Sequence, residues 1–245
     1  MFPELQKFIE TNIELIENAR FDELYNMNVD VSKFTEVLLK AGINPLEKLN
    51  YIPAGYLCQS DINSFTVPAH ITEIHSGAFW KCENLNKVIL PEGLVSIEDS
   101  AFCECHNLWQ INFPSTLEFI KEDAFAETNL HHIVVPDLVG VIPKHCFEAC
   151  KQLQTVKLGK FANRIKTRAF AECDNLYSVQ LNDGLTSIDS YAFTECPALT
   201  EIYIPDSVTT IAANVFWKSP TKIICSENSA AHRYALHNDM RYELI

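Results

Sequence analysis

From Ile74 to Phe216 the chain repeats one arrangement of apolar and polar positions. Isoleucine, four variable residues and phenylalanine recur at Ile74–Phe79, Ile97–Phe102, Ile120–Phe125, Ile142–Phe147, Ile165–Phe170, Ile188–Phe193 and Ile211–Phe216. Successive phenylalanines are 23 residues apart, save one step of 22 between Phe125 and Phe147. Alanine precedes the phenylalanine in most copies, with Cys146 and Val215 in two. Three residues after it comes a cysteine (Cys82, Cys105, Cys150, Cys173, Cys196), then Leu-x2-Val/Ile-x-apolar and often a proline. The leucine stretch alternates as a short strand would. A fixed period of this length with this leucine spacing predicts a leucine-rich-repeat solenoid. Strands of successive coils then stack about 4.8 Å apart as short parallel strands on one face. Pro68, Pro91, Pro114, Pro136 and Pro205 fall just past that strand, where a missing N–H ends the ladder harmlessly. A degenerate first repeat at Ile52, Leu57, Phe65 and Val67 brings the array to about eight coils over residues 51–225.

A solenoid exposes apolar ends unless something covers them. Residues 3–19 place Leu5, Phe8, Ile9, Ile13 and Ile16 on one helical face, behind Pro3. A second helix is expected over Asp22–Met27. A third runs from a Ser32 cap through Val37, Leu38 and Leu39 to Gly42, before a turn at Asn44-Pro45. Residues 1–50 therefore predict an α-helical N-terminal cap, with a partner-recruiting helical module as the alternative. After Phe216 the pattern fails in order: Ser219 takes the cysteine position, and Ile223 and Cys225 continue a last strand. Residues 226–245 then predict a helix-plus-strand C-terminal cap. In it Ser229 opens a helix ending at Asn238, and Met240, Tyr242 and Leu244 alternate. With both ends covered, a monomer is expected.

The formal charge of −13 argues against a nucleic-acid surface, which needs clustered Lys and Arg. No window holds enough consecutive apolar residues for a membrane span. The start MFPELQKFIE lacks the basic and long apolar regions of a secretory signal, so a cytoplasmic location is expected. Nine cysteines are an odd number in a chain of this length, and most fall in repeat columns. That fits reduced, buried thiols rather than a disulfide framework.

The line V-T-x-I-x4-F-x2-C-x2-L-x2-V-x-L-P resembles that of the BspA-type leucine-rich-repeat family. PDSVTTIAANVF (205–216) and PEGLVSIEDSAFCECHNLWQINF (91–113) carry it best, and the match spans about residues 52–225. The tail CSENSAAHRYALHND resembles the family's usual terminator, and FDELYNMNVDVSKFTEVLLKAGINPLEKLNYIP resembles leaders before such repeats in bacterial and phage-like proteins. The resemblance implies protein or surface-ligand binding by a solenoid face. It also implies relatives that are secreted or cell-attached in bacteria, with others in protists or phages.

Enzyme signatures for nucleotide, hydrolase and metalloprotease chemistry are missing, so no enzymatic activity and no cofactor are expected. A zinc site would have to join Cys103, Cys105 and His106 to His145, Cys146 and Cys150. Cys105 and Cys150 lie two coils apart, about 10 Å at strand spacing, whereas Zn–S needs about 2.3 Å. His131-His132 has no third ligand in the pattern. A protein partner is then the expected ligand, met by outward strand positions. These are Ser64 and Thr66, Lys87 and Ile89, Gln110 and Asn112, His132 and Val134, Thr155 and Lys157, Ser178 and Gln180, Glu201 and Tyr203. Trp109, beside Gln110 and Asn112, is the expected anchor. Trp80 is a lesser candidate, and Trp217 is expected to pack on the terminal helix. A second reading makes the chain a bacterial or phage effector that masks a basic host surface with its acidic flank.

Overall fold

The structure is a computed structural model and describes residues 30–40 and 44–245, together with Glu23 and Tyr25. The helix expected over residues 3–19 and nearly all of the Asp22–Met27 segment lie outside the described residues. Within the N-terminal stretch, helix α1 spans Val31–Lys40 with Val31, Thr35 and Leu38 buried. Its start differs from the expectation. Asp30, not Ser32, takes the first-turn donors, accepting from the Lys33 N–H (3.1 Å) and the Ser32 hydroxyl (3.2 Å). Asn44 then caps a short 3-10 turn, Pro45–Glu47, by accepting from Leu46 N–H.

The repeats form a β-solenoid of about eight turns, and each turn contributes two strands rather than one. The expected ladder holds β2 (Ser64–Thr66), β4 (Lys87–Ile89), β6 (Gln110–Ile111), β8 (His132–Val134), β10 (Thr155–Lys157), β12 (Ser178–Gln180), β14 (Glu201–Tyr203) and β16 (Lys222–Cys225). A second ladder runs beside the repeating isoleucine: β1 (Tyr51–Ile52), β3 (Glu73–Ile74), β5 (Ser96–Ile97), β7 (Phe119–Ile120), β9 (Val141–Ile142), β11 (Arg164–Ile165), β13 (Ser187–Ile188) and β15 (Thr210–Ile211). Every pairing is parallel and in register, Ile74 against Ile97 and Val156 against Val179. Strands on one face only is thus corrected to strands on two faces.

The third side of each coil is a run of turns, and it carries its own inter-coil hydrogen bonds. The phenylalanine N–H donates to the residue before the next phenylalanine, as in Phe79 to Ala101 (2.8 Å), Phe147 to Ala169 (2.9 Å) and Phe193 to Val215 (3.0 Å). The residues two before and two after do the same: Ser100 to Glu122 (2.9 Å), Glu104 to Ala126 (2.9 Å). Those flanking positions are left-handed at every coil, including non-glycine residues such as Ser100, Glu104, Ala149, Tyr191 and Lys218 (φ 54 to 62°). Left-handed backbone is unfavourable for L-residues. Here it turns alternate amides along the solenoid axis, where each finds a carbonyl of the next coil.

Inside this frame the isoleucine, alanine, phenylalanine, cysteine and leucine columns are buried in one continuous core. From Phe79 to Phe216 the rings stack with centroids 5.0 to 5.7 Å apart and planes within 5 to 8°. This is offset-stacked geometry. Tilted rings close both ends, Phe65 on Phe79 (5.1 Å) and Tyr234 on Phe216 (6.3 Å). Tyr234 belongs to α2 (Ala230–His237), opened by Ser229 and closed at Asn238 as the sequence indicates. A last strand, β17 (Tyr242–Leu244), adds to β16.

Gly159 stands where other coils place proline, and a Cβ there would overlap the Pro136 carbonyl. Gly159→Ala is therefore expected to destabilise by about 1–3 kcal/mol through overpacking against immovable backbone. Urea denaturation checks this, and Gly93→Ala, with open space around it, shows the smaller cost of side-chain-independent backbone strain.

Candidate interaction surface

The buried cysteines have a definite task. Cys105 Sγ–H donates to Phe79 O (3.0 Å), Cys150 to Phe125 O (3.1 Å), Cys173 to Phe147 O (3.2 Å) and Cys196 to Phe170 O (3.1 Å). Each thiol ties its coil to the phenylalanine of the coil before. Ser219 repeats the bond to Phe193 O (2.7 Å), which explains why serine serves in that column. Four of the six residues of the zinc constellation are engaged in other bonds, Cys105 and Cys150 among them. His106 donates to Glu127 O (3.0 Å), and His145 lies between Asp123 (3.4 Å) and Glu148 (3.9 Å). Among the described residues, no three possible ligands converge on one point.

Burial pushes four of the thiols up: Cys150 to about 11, Cys196 to about 12, with Cys146 and Cys173 raised from the same cause, whereas a hydrogen bond with Cys105 draws Cys82 down to about 7. An unfolded chain releases these protons near the ordinary value of 9.0, while the folded chain holds them. The stability these four contribute is therefore fully present below about pH 9 and falls as pH rises towards 11–12. Urea midpoints measured from pH 9 to 11 should drop. A midpoint that stays level to pH 11 would show that the column does not hold neutral thiols.

On the first ladder, most predicted contact residues do face solvent. Ile89, Gln110, His132, Val134, Lys157, Ser178, Gln180, Glu201 and Tyr203 are exposed, and Lys87 and Thr155 are half-buried. Val134 is 63% exposed and Trp109 53%. Two residues are otherwise engaged. Asn112 clips its own coil to the previous one, accepting from Leu90 N–H and donating to Leu90 O, both 2.8 Å. His132 Nδ1 meets Thr155 Oγ1 (3.0 Å). The face also includes Tyr177, 54% exposed one position before β12, which the strand alternation does not single out. Trp217 departs from the expectation: it is exposed, edge-on to Tyr191 (6.4 Å) and beneath Lys218 (4.1 Å). Phe216, the next residue inward, is what meets α2. Trp80 is half-buried and donates to Glu104 (3.2 Å).

The acid lies elsewhere. Glu104, Glu127, Glu172 and Glu195 share the left-handed column two residues after phenylalanine. Arg168 bridges Glu148 and Glu172 (2.6 Å each), and Lys218 pairs with Glu195 (2.9 Å).

A model of the BspA-type leucine-rich-repeat region matches residues 27–154 and 140–237, in 6 copies. The chain belongs to the BspA-type leucine-rich-repeat family. Leucine-rich-repeat proteins generally serve as protein-interaction scaffolds and are typically non-enzymatic. Similar solved structures include a leucine-rich-repeat protein from Eubacterium ventriosum ATCC 27560, 20% identical over 69% of this chain and 64% of that one, TM-score 0.50. Another is from Bacteroides ovatus ATCC 8483, 20% identical over 80% and 70%, TM-score 0.47. The T. pallidum leucine-rich-repeat protein is 23% identical over 59% and 80%, TM-score 0.47. At these identities the likeness concerns the fold alone. No curated protein matches the chain. No helix among the described residues is long and apolar enough to cross a membrane.

Proposed function

We propose that this BspA-type solenoid is a non-enzymatic scaffold that binds a protein partner through the first-ladder strand face. The observation that carries this reading is the pairing of exposed apolar groups with a backbone that has no freedom to collapse around them. Trp109, Ile89, Val134 and Tyr203 stand clear of strands whose other side packs on the core. Large apolar side chains presented on a rigid frame lose little entropy on binding, and aromatic anchors dominate interface energetics. Polar neighbours such as Gln110, Lys157 and Gln180 supply a rim.

The acidic column favours a second reading, in which the flank bearing Glu104, Glu127, Glu172 and Glu195 meets a basic surface of a host protein. Ionic strength separates the two. Contacts steered by exposed charge weaken steeply between about 0.05 and 0.5 M salt, and a desolvated apolar contact does not.

The test is affinity capture from the source organism's lysate with the native chain and with Trp109→Ala/Gln110→Ala. Asn112 is left intact because its amide holds Leu90. Loss of the captured partner by at least tenfold, about 1.4 kcal/mol, with an unchanged unfolding temperature, is the expected result. Undiminished capture by the double variant removes the strand face from consideration.

A further inference from the structure

One junction of the solenoid is built differently from its neighbours. At six junctions the residue after the repeating isoleucine donates its N–H to the isoleucine carbonyl of the previous coil: His75 to Ile52, Glu98 to Ile74, Lys121 to Ile97, Lys166 to Ile142, Asp189 to Ile165 and Ala212 to Ile188, at 2.8 to 2.9 Å. The remaining junction would need Pro143 to donate to Ile120, and proline has no N–H. The bond from the residue two before the isoleucine is missing as well. Asn163 donates to Gly140 and Thr186 to Asn163 (2.8 Å each), but no such bond joins Gly140 to Glu118 among the described residues. The second ladder accordingly stops at β7 and resumes at β9.

Over the surface at this junction lies a groove of about 740 Å3, within the size range of binding clefts. Its apolar wall is Phe119 and Leu138, 51% and 43% exposed, with Val141 between the coils. Its mouth carries Asp99, Glu118, Glu122 and Asp123 with Lys121 and Lys166, while Lys144 lies 3.6 Å from Glu122 and His145 3.4 Å from Asp123. Lys121 is already drawn over the Phe119 ring (5.7 Å).

We infer that this groove docks an extended segment of a protein partner in which an aromatic or aliphatic side chain sits beside Lys or Arg. Phe119 and Leu138 take its apolar side chain, and the carboxylates take its cations. A second copy of this chain is a poor occupant, since a net charge of −13 on each would set carboxylate against carboxylate. This surface is separate from the strand face proposed above.

The probe is the fluorescently labelled peptide acetyl-Arg-Val-Phe-Thr-Arg-amide, titrated against the full chain by anisotropy beside its counterpart with Glu in place of Arg. Saturable binding of the Arg peptide is expected, weakened at least tenfold by Phe119→Ser/Leu138→Ser and for the Glu peptide, and unchanged by Trp109→Ala. The inference is overturned by absent saturable binding, by equal binding of both peptides, or by indifference to Phe119→Ser/Leu138→Ser. Loss on Trp109→Ala would place the contact on the strand face, and a dimer dissolved by Phe119→Ser/Leu138→Ser would make a second copy the occupant; either outcome also overturns it.

Discussion

The turn side of the coil, where phenylalanine and its two left-handed neighbours hand their amides to the next coil, is the constraint on which the rest of the molecule depends. A single coil of this length cannot repay the entropy of ordering its backbone from its own apolar contacts. Stacking supplies what is missing through shared rings, thiol-to-carbonyl bonds and amides that reach only forward. The unfavourable backbone at Ser100, Glu104, Tyr191 and their equivalents persists because the neighbouring coil over-determines it.

The same bonds explain how one junction can lose both strand ladders and still hold. Where the phenylalanine step shortens to 22, a residue is missing between Thr128 and Leu130 relative to other coils. β6 and β8 consequently do not pair, and Asn129 donates to Leu108 O instead (3.0 Å). Thr128 still fills the cysteine column, bonding Phe125 O (2.9 Å) and meeting Cys150 Sγ (3.2 Å). Pro143 opens the other ladder. On the turn side Asp123, Phe125 and Glu127 keep their bonds to Lys144, Cys146 and Glu148 (3.1, 3.0 and 2.8 Å). The groove thus opens beside an unbroken spine, so an exposed apolar wall at Phe119 and Leu138 does not endanger the fold.

Much of the core was legible beforehand, because isoleucine, phenylalanine, cysteine and leucine recur at one period and periodic apolar positions point inward. The second ladder was not, since strands of two residues are too short to show alternation. The left-handed columns were hidden because Ser100, His145, Arg168 and Tyr191 carry no glycine signature. Asn112 reads as an outward strand residue, and nothing local reveals that its amide replaces a backbone pair. The significance of Pro143 depends on knowing that its position is a ladder donor in every other coil. Most of the strand-face residues do point outward, though Lys87 and Thr155 are half-buried, while the contiguous apolar wall around Phe119 required the coils to be set side by side.

Amide hydrogen exchange under native conditions addresses the continuity of the spine most directly. The N–H groups of Phe79, Phe102, Phe125, Phe147, Phe170 and Phe193 should exchange with one common free energy equal to that of global unfolding, while Gly140 and Val141 exchange far faster. Protection that splits into two levels on either side of Phe125, with that amide itself exposed, would mean two separate stacks rather than one.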